Sequence, residues 1–128
     1  MSLRSPLSKV LGSGSAKEGT GHWWMQRVTA VGLALLGIWF LWSFAGLNAN
    51  SHADLAAWVG QPTNAVLLLL LSMTLAWHST LGVQVVIEDY VHGPGLKVFA
   101  LMLNKFAHVI LATAAALAVL KVALGGPA

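Results

Sequence analysis

The chain has 128 residues, 57% of them hydrophobic and only 9% charged, with a mean hydropathy of +0.75, a balance that excludes an ordinary soluble domain and points to lipid as the solvent. Cysteine is absent, which excludes disulfides and thiolate metal sites and leaves imidazole and oxygen donors as the available ligands. The net charge of +3 arises from seven Lys and Arg against four Asp and Glu; the cations are scattered at the edges of apolar runs, so they read as topology signals and not as a nucleic-acid surface.

Residues 1–22, "MSLRSPLSKVLGSGSAKEGTGH", form a basic tail holding Arg4, Lys9 and Lys17. It lacks the apolar core of a secretory signal, and its Ser and Gly content suits a flexible segment, so a retained cytoplasmic tail is expected. A basic, Ser-containing start is also similar to a mitochondrial presequence, but such presequences are normally longer, and a bacterial inner membrane is the simpler location. Residues 23–128 are expected to form one all-α membrane domain of three transmembrane helices, near 23–47, 64–88 and 97–124. Each run meets the roughly 20 helical residues needed to cross a hydrocarbon core of about 30 Å.

The first break, "NANSHADLAAWVGQPTN", carries Asp54 and no Lys or Arg, whereas the second, "EDYVHGPGLK", turns at Gly93-Pro94-Gly95 and carries Lys97. With Arg27 at the start of span one, the positive-inside rule puts the N-terminus and the second break in the cytoplasm. Trp23 and Trp24 at the inner interface, Trp58 on the outer side and Trp77 read as belt or packing residues. In span three, Lys105 and Lys121 are placed to snorkel to the headgroups. Three helices enclose little interior, so buried functional groups on this unit need a partner chain to cover them.

The chemistry concentrates in "AWHSTLGVQVVIEDYVHGPG", residues 76–95. Eleven residues of helix rise about 16 Å over about three turns, so His78 and Asp89 share a face with Gly82 and Val85 between them. His78 then lies about halfway into the core, where an intramembrane imidazole is either hydrogen-bonded to a neighbouring helix or functional. The functional option is haem ligation, since neutral imidazole is a usual axial ligand and no thiolate competes. Gly82 permits close approach of a flat group, or equally of another helix. Arg27 serves the positive-inside signal or a polar-headed ligand such as haem propionates. Asp89 and Tyr90, a carboxylate beside a phenol at the membrane edge, are either interfacial residues or a pair able to hydrogen-bond a carbonyl and relay protons, which quinone reduction requires.

The stretch "HSTLGVQVVIEDYV", residues 78–91, resembles the haem-and-quinone segment of the small hydrophobic membrane-anchor subunits of succinate dehydrogenase, respiratory complex II. "QRVTAVG" at the start of span one and the three-span layout extend the resemblance along the chain. The resemblance implies that His78 is one axial ligand of a haem b, the iron thereby bound on one side by this chain and on the other by the C-type cytochrome b anchor subunit. It implies that Tyr90 hydrogen-bonds a ubiquinone carbonyl with Asp89 supporting proton delivery, that Arg27 lies near the propionates and quinone, and that the iron–sulfur and flavoprotein subunits perform the dicarboxylate chemistry. His108, at a depth similar to that of His78, keeps open a self-contained cytochrome b with both ligands from this chain; a haem-free structural anchor is the other alternative. A transporter is disfavoured, since no inverted repeat is seen and the ionisable groups cluster toward one side.

Overall fold

The computed structural model describes Leu7, residues 19–47 and residues 51–125; Arg4, Lys9 and Lys17 of the basic tail lie outside the described residues. Among residues 19–125 as described, four helices follow in order: α1 (Gly19–Ala45), α2 (His52–Gly60), α3 (Pro62–Tyr90) and α4 (Pro94–Ala123). Three of them, α1, α3 and α4, are long and apolar enough to cross a membrane. Their lengths of about 40–45 Å exceed the hydrocarbon thickness, so their ends reach through the headgroup regions.

Local chemistry sets the ends. Pro62 and Pro94 open α3 and α4, where a missing amide hydrogen costs nothing and the fixed φ suits a helix. At the C-terminus of α3, the Val91 amide donates to the Ile87 carbonyl and Lys97 Nζ donates to the Glu88 carbonyl at 2.8 Å. A cation there satisfies an orphan acceptor and offsets the negative end of the helix dipole. Gly125, at φ +76, closes α4, the left-handed conformation that glycine adopts without steric penalty.

The first polar break is itself partly helical. Ser51 caps α2, its Oγ accepting from the Asp54 amide at 3.2 Å, and Asp54 in the first turn suits the positive end of the helix. Trp58 stacks on Trp39 with centroids 6.0 Å apart and meets Phe40 and Phe44 edge-on. Its indole Nε1 donates to Ser43 Oγ at 2.9 Å, while its backbone carbonyl accepts from Asn64 Nδ2 at 2.9 Å. Trp58 therefore packs the end of α1 against the start of α3 and is no free belt residue. Trp58→Ala is expected to cost about 3–5 kcal/mol by loss of this packing, read as a lowered midpoint of thermal unfolding, with Trp58→Phe costing less.

α3 is the central element: α1 packs on it along one line, α4 along another, and α1 and α4 do not pack on each other among the described residues. The row is not closed into a bundle. Among the described residues, the buried ones are Trp58 and Ala65 together with the polar Thr29, Asn64 and Asn104. Most side chains from the apolar runs face outward, including Leu35, Leu41, Trp42 and Ile110. That inversion of a soluble core, polar groups inside and apolar groups outside, is what hydrocarbon as solvent favours.

Candidate functional site

The contact between α1 and α3 is built from small and polar residues in antiparallel register. Gly32 lies against Thr74, with a hypothetical Cβ 3.5 Å from Thr74 Cγ2, and Gly82 lies against Gln26, with a hypothetical Cβ 3.7 Å from its Nε2. Thr29 and His78 meet between these two contacts. Polar side chains bond from one helix to the other along this seam.

His78 is held at both ring nitrogens. Its Nδ1 lies 2.9 Å from Thr29 Oγ1, and Thr29 Oγ1 donates to the Met25 carbonyl at 2.7 Å. A threonine hydroxyl has a single hydrogen; with it directed to Met25, Oγ1 accepts and His78 Nδ1 donates. In the neutral ring Nε2 then carries the lone pair, and it faces Gln26 Nε2 at 3.3 Å. That bond is long for an N–H donor. Gln26 Oε1 and His22 Nε2, on the same face of α1, are buried without a hydrogen-bond partner. Such orphaned polar atoms in a largely dehydrated site are costly unless something else meets them.

The remaining sequence-predicted residues divide by position. Gly82 joins His78 at the α1 contact, as their shared stripe requires. Asp89 is exposed at the end of α3 beside Tyr90, whose side chain is 77% exposed; the Tyr90 carbonyl accepts from His92 Nδ1 at 3.0 Å. Arg27 faces away from the α1–α3 contact, its guanidinium carbon 5.6 Å from the Trp23 ring centroid, a cation–π geometry. Trp23 and Trp24 are exposed next to one another, as belt residues are.

His108 belongs to the other side of α3. Its Nδ1 donates to the Asn104 carbonyl at 2.8 Å, and its Nε2 accepts from Ser79 Oγ at 2.9 Å. Ser79 follows His78 by one residue, a rotation of about 100° round the helix, so the two histidines address different neighbours. His108 lines an open groove of about 430 Å³ between α3 and α4 with Ser72, Ala76 and Ala112. Asn104 Nδ2 donates to the Thr80 carbonyl at 3.0 Å in the same seam. Lys105 is exposed beside Trp77 and Gln84.

Two contributors escape the sequence reading, Gln26 and Thr29. The available signal was the spacing of His22, Gln26 and Thr29, which puts three polar side chains on one face of an otherwise apolar helix.

The family described as succinate dehydrogenase/fumarate reductase transmembrane subunit matches residues 1–121. The succinate dehydrogenase hydrophobic membrane anchor subunit of Rickettsia bellii is 41% identical over 90 residues, covering 70% of this chain and 71% of that protein. The subunit of the same name from Paracoccus denitrificans is 31% identical over 110 residues, covering 86% of this chain and 85% of that protein. The membrane anchor subunit of Reclinomonas americana is 32% identical over 101 residues, with coverage of 68% and 75%. No solved structure gives a significant match. With three helices among the described residues long and apolar enough to cross a membrane, and with these relatives, the chain is a multi-pass membrane protein that belongs to the succinate dehydrogenase/fumarate reductase transmembrane subunit family.

Proposed function

We propose that the chain is the membrane-anchor subunit of a succinate:quinone oxidoreductase in a bacterial cytoplasmic membrane, with its N-terminus in the cytoplasm. It packs with a C-type cytochrome b anchor subunit and docks the iron–sulfur and flavoprotein subunits. The relatives' names support the anchor role, and the open row of helices leaves broad faces for a second anchor chain to cover.

The observation that carries the cofactor assignment is the His78 site. A neutral imidazole with Nδ1 engaged by Thr29 and Nε2 met only by a long amide contact has the donor set an axial haem ligand needs. Gln26 Oε1 and His22 Nε2, buried on the same face of α1 without a hydrogen-bond partner, leave polar capacity beside the ring unused. Haem b, when bound, supplies a one-electron redox centre shared with the partner anchor. Gly82 adds no side chain beside His78, and Arg27, exposed on α1 over the Trp23 ring, offers a cation to carboxylate groups such as propionates. At the cytoplasmic end Tyr90 donates a hydrogen bond to a ubiquinone carbonyl, and Asp89 beside it passes protons to the reduced oxygen. The active chemistry of succinate lies in the other subunits.

One observation favours a second reading, a haem-free structural anchor: both nitrogens of His78 find partners within the chain. The two readings separate in a dithionite-reduced minus oxidised optical spectrum of the complex purified through a tag on this chain. A b-type α-band is expected, and its absence leaves the structural anchor. His108→Ala is expected to leave that band in place, because both nitrogens of His108 serve the α3–α4 seam. Loss of the band in this variant would restore the self-contained cytochrome with His78 and His108 as ligands.

A further inference from the structure

The order of hydrogen bonds around His78 is directional. Met25 and Gln26 carbonyls lie 2.7 and 3.2 Å from Thr29 Oγ1, so the hydroxyl hydrogen stays on its own helix and the oxygen's lone pair is what α1 offers to α3. An imidazole that gives its Nδ1 hydrogen to this oxygen keeps the Nε2 lone pair. Thr29 is buried, which shields that bond from competing water. On the other side of the ring, Gln26 uses one amide nitrogen at 3.3 Å and leaves its oxygen without a partner. A half-satisfied side chain on a long bond gives up little when it moves away.

We propose that Thr29 is the positioning residue that sets the tautomer and orientation of His78, and that Gln26 is a placeholder that yields Nε2 to the axial bond. The proposal rests on the assignment of His78 as a haem ligand made above. It adds that the ligand is prepared by this chain alone, before the partner anchor arrives. An outer hydrogen bond to a metal-ligating histidine fixes its ring and raises its basicity, and its loss typically costs 10–100-fold in metal affinity.

The first arm of the test needs no haem. The full-length chain, labelled with ¹³C,¹⁵N-histidine and placed in lipid bilayers, is examined by solid-state NMR, the His78 signals being those missing in His78→Gln. The Nδ1–H tautomer is expected in the wild type, a change of tautomer in Thr29→Val, and its return in Thr29→Ser. A His78 signature unchanged by Thr29→Val overturns the positioning role. The second arm follows transfer of haem from the assembled complex to apomyoglobin. Thr29→Val is expected to lose haem about tenfold faster than wild type, Thr29→Ser at nearly the wild-type rate, and Gln26→Ala no faster than wild type. Equal rates in Thr29→Val and wild type overturn the positioning role in haem binding, and faster loss from Gln26→Ala overturns the placeholder. A wild-type complex with no haem to lose would overturn the ligand assignment itself and with it the link to haem, while the tautomer measurement still decides whether Thr29 orients His78.

Discussion

His78→Ala is expected to remove or shift the b-type α-band of the purified complex and to lower its haem content about tenfold or more, while the four subunits still copurify. The loss follows from the ligand count of the proposed site: a haem held between two chains by one imidazole from each would lose half of its axial set, and alanine offers no donor. Assembly survives because the substitution removes only two side-chain hydrogen bonds from α1–α3. Interhelical bonds of this kind are worth about 0.6 kcal/mol on average in a membrane, and Thr29 Oγ1 retains its own bond to Met25. The Gly32–Thr74 approach on the same helix pair is untouched. An α-band unchanged in position and intensity would show that the imidazole of His78 does not hold the iron. Loss of the whole complex from the membrane would assign His78 to packing.

The second large effect is expected at the other end of α3. Tyr90→Phe should lower succinate:quinone reductase activity about a hundredfold, the usual order for deleting a donor to an oxygen that gains charge in the reaction. Electron transfer from succinate to a soluble dye accepting upstream of the membrane should stay at the wild-type rate. The substitution removes a single oxygen from a side chain that is 77% exposed in this chain, and the backbone contact of Tyr90 with His92 does not depend on the phenol. Folding and assembly are therefore spared, so a fall in quinone reduction reports on chemistry. Quinone reduction at the wild-type rate would remove Tyr90 from the quinone site and leave it as an interfacial anchor.

The layout was legible because hydrocarbon leaves few choices. Apolar runs of sufficient length become helices whatever their detailed order, since every backbone group must be satisfied within its own segment. Proline and glycine then mark the ends, as Pro62, Pro94 and Gly125 do. The stripe holding His78 and Gly82 was legible for a similar reason: helical period alone puts them on one face. What period cannot supply is the neighbour. Helix α2 looked like part of a polar break because nine residues carry too weak a signal, and its place depends on Trp58 reaching Trp39 and Ser43 on α1. Arg27 and Gln26 are adjacent in sequence, yet one turns to the Trp23 ring and the other to His78. His78 and His108 have similar depth but separate partners, a distinction of helix rotation that depth does not contain.

The amino-acid order by itself determined the solvent, the number of spans, their chemistry-bearing face and the resemblance at residues 78–91, because hydropathy and helical period act within a single segment. Tertiary structure decided which helix that face meets and which partners the two ring nitrogens of His78 find. Those outcomes depend on the antiparallel register that brings Thr29 and Gln26 of α1 to the ring, and register is set by packing between segments, where Gly32 meets the Thr74 side chain and Gly82 that of Gln26.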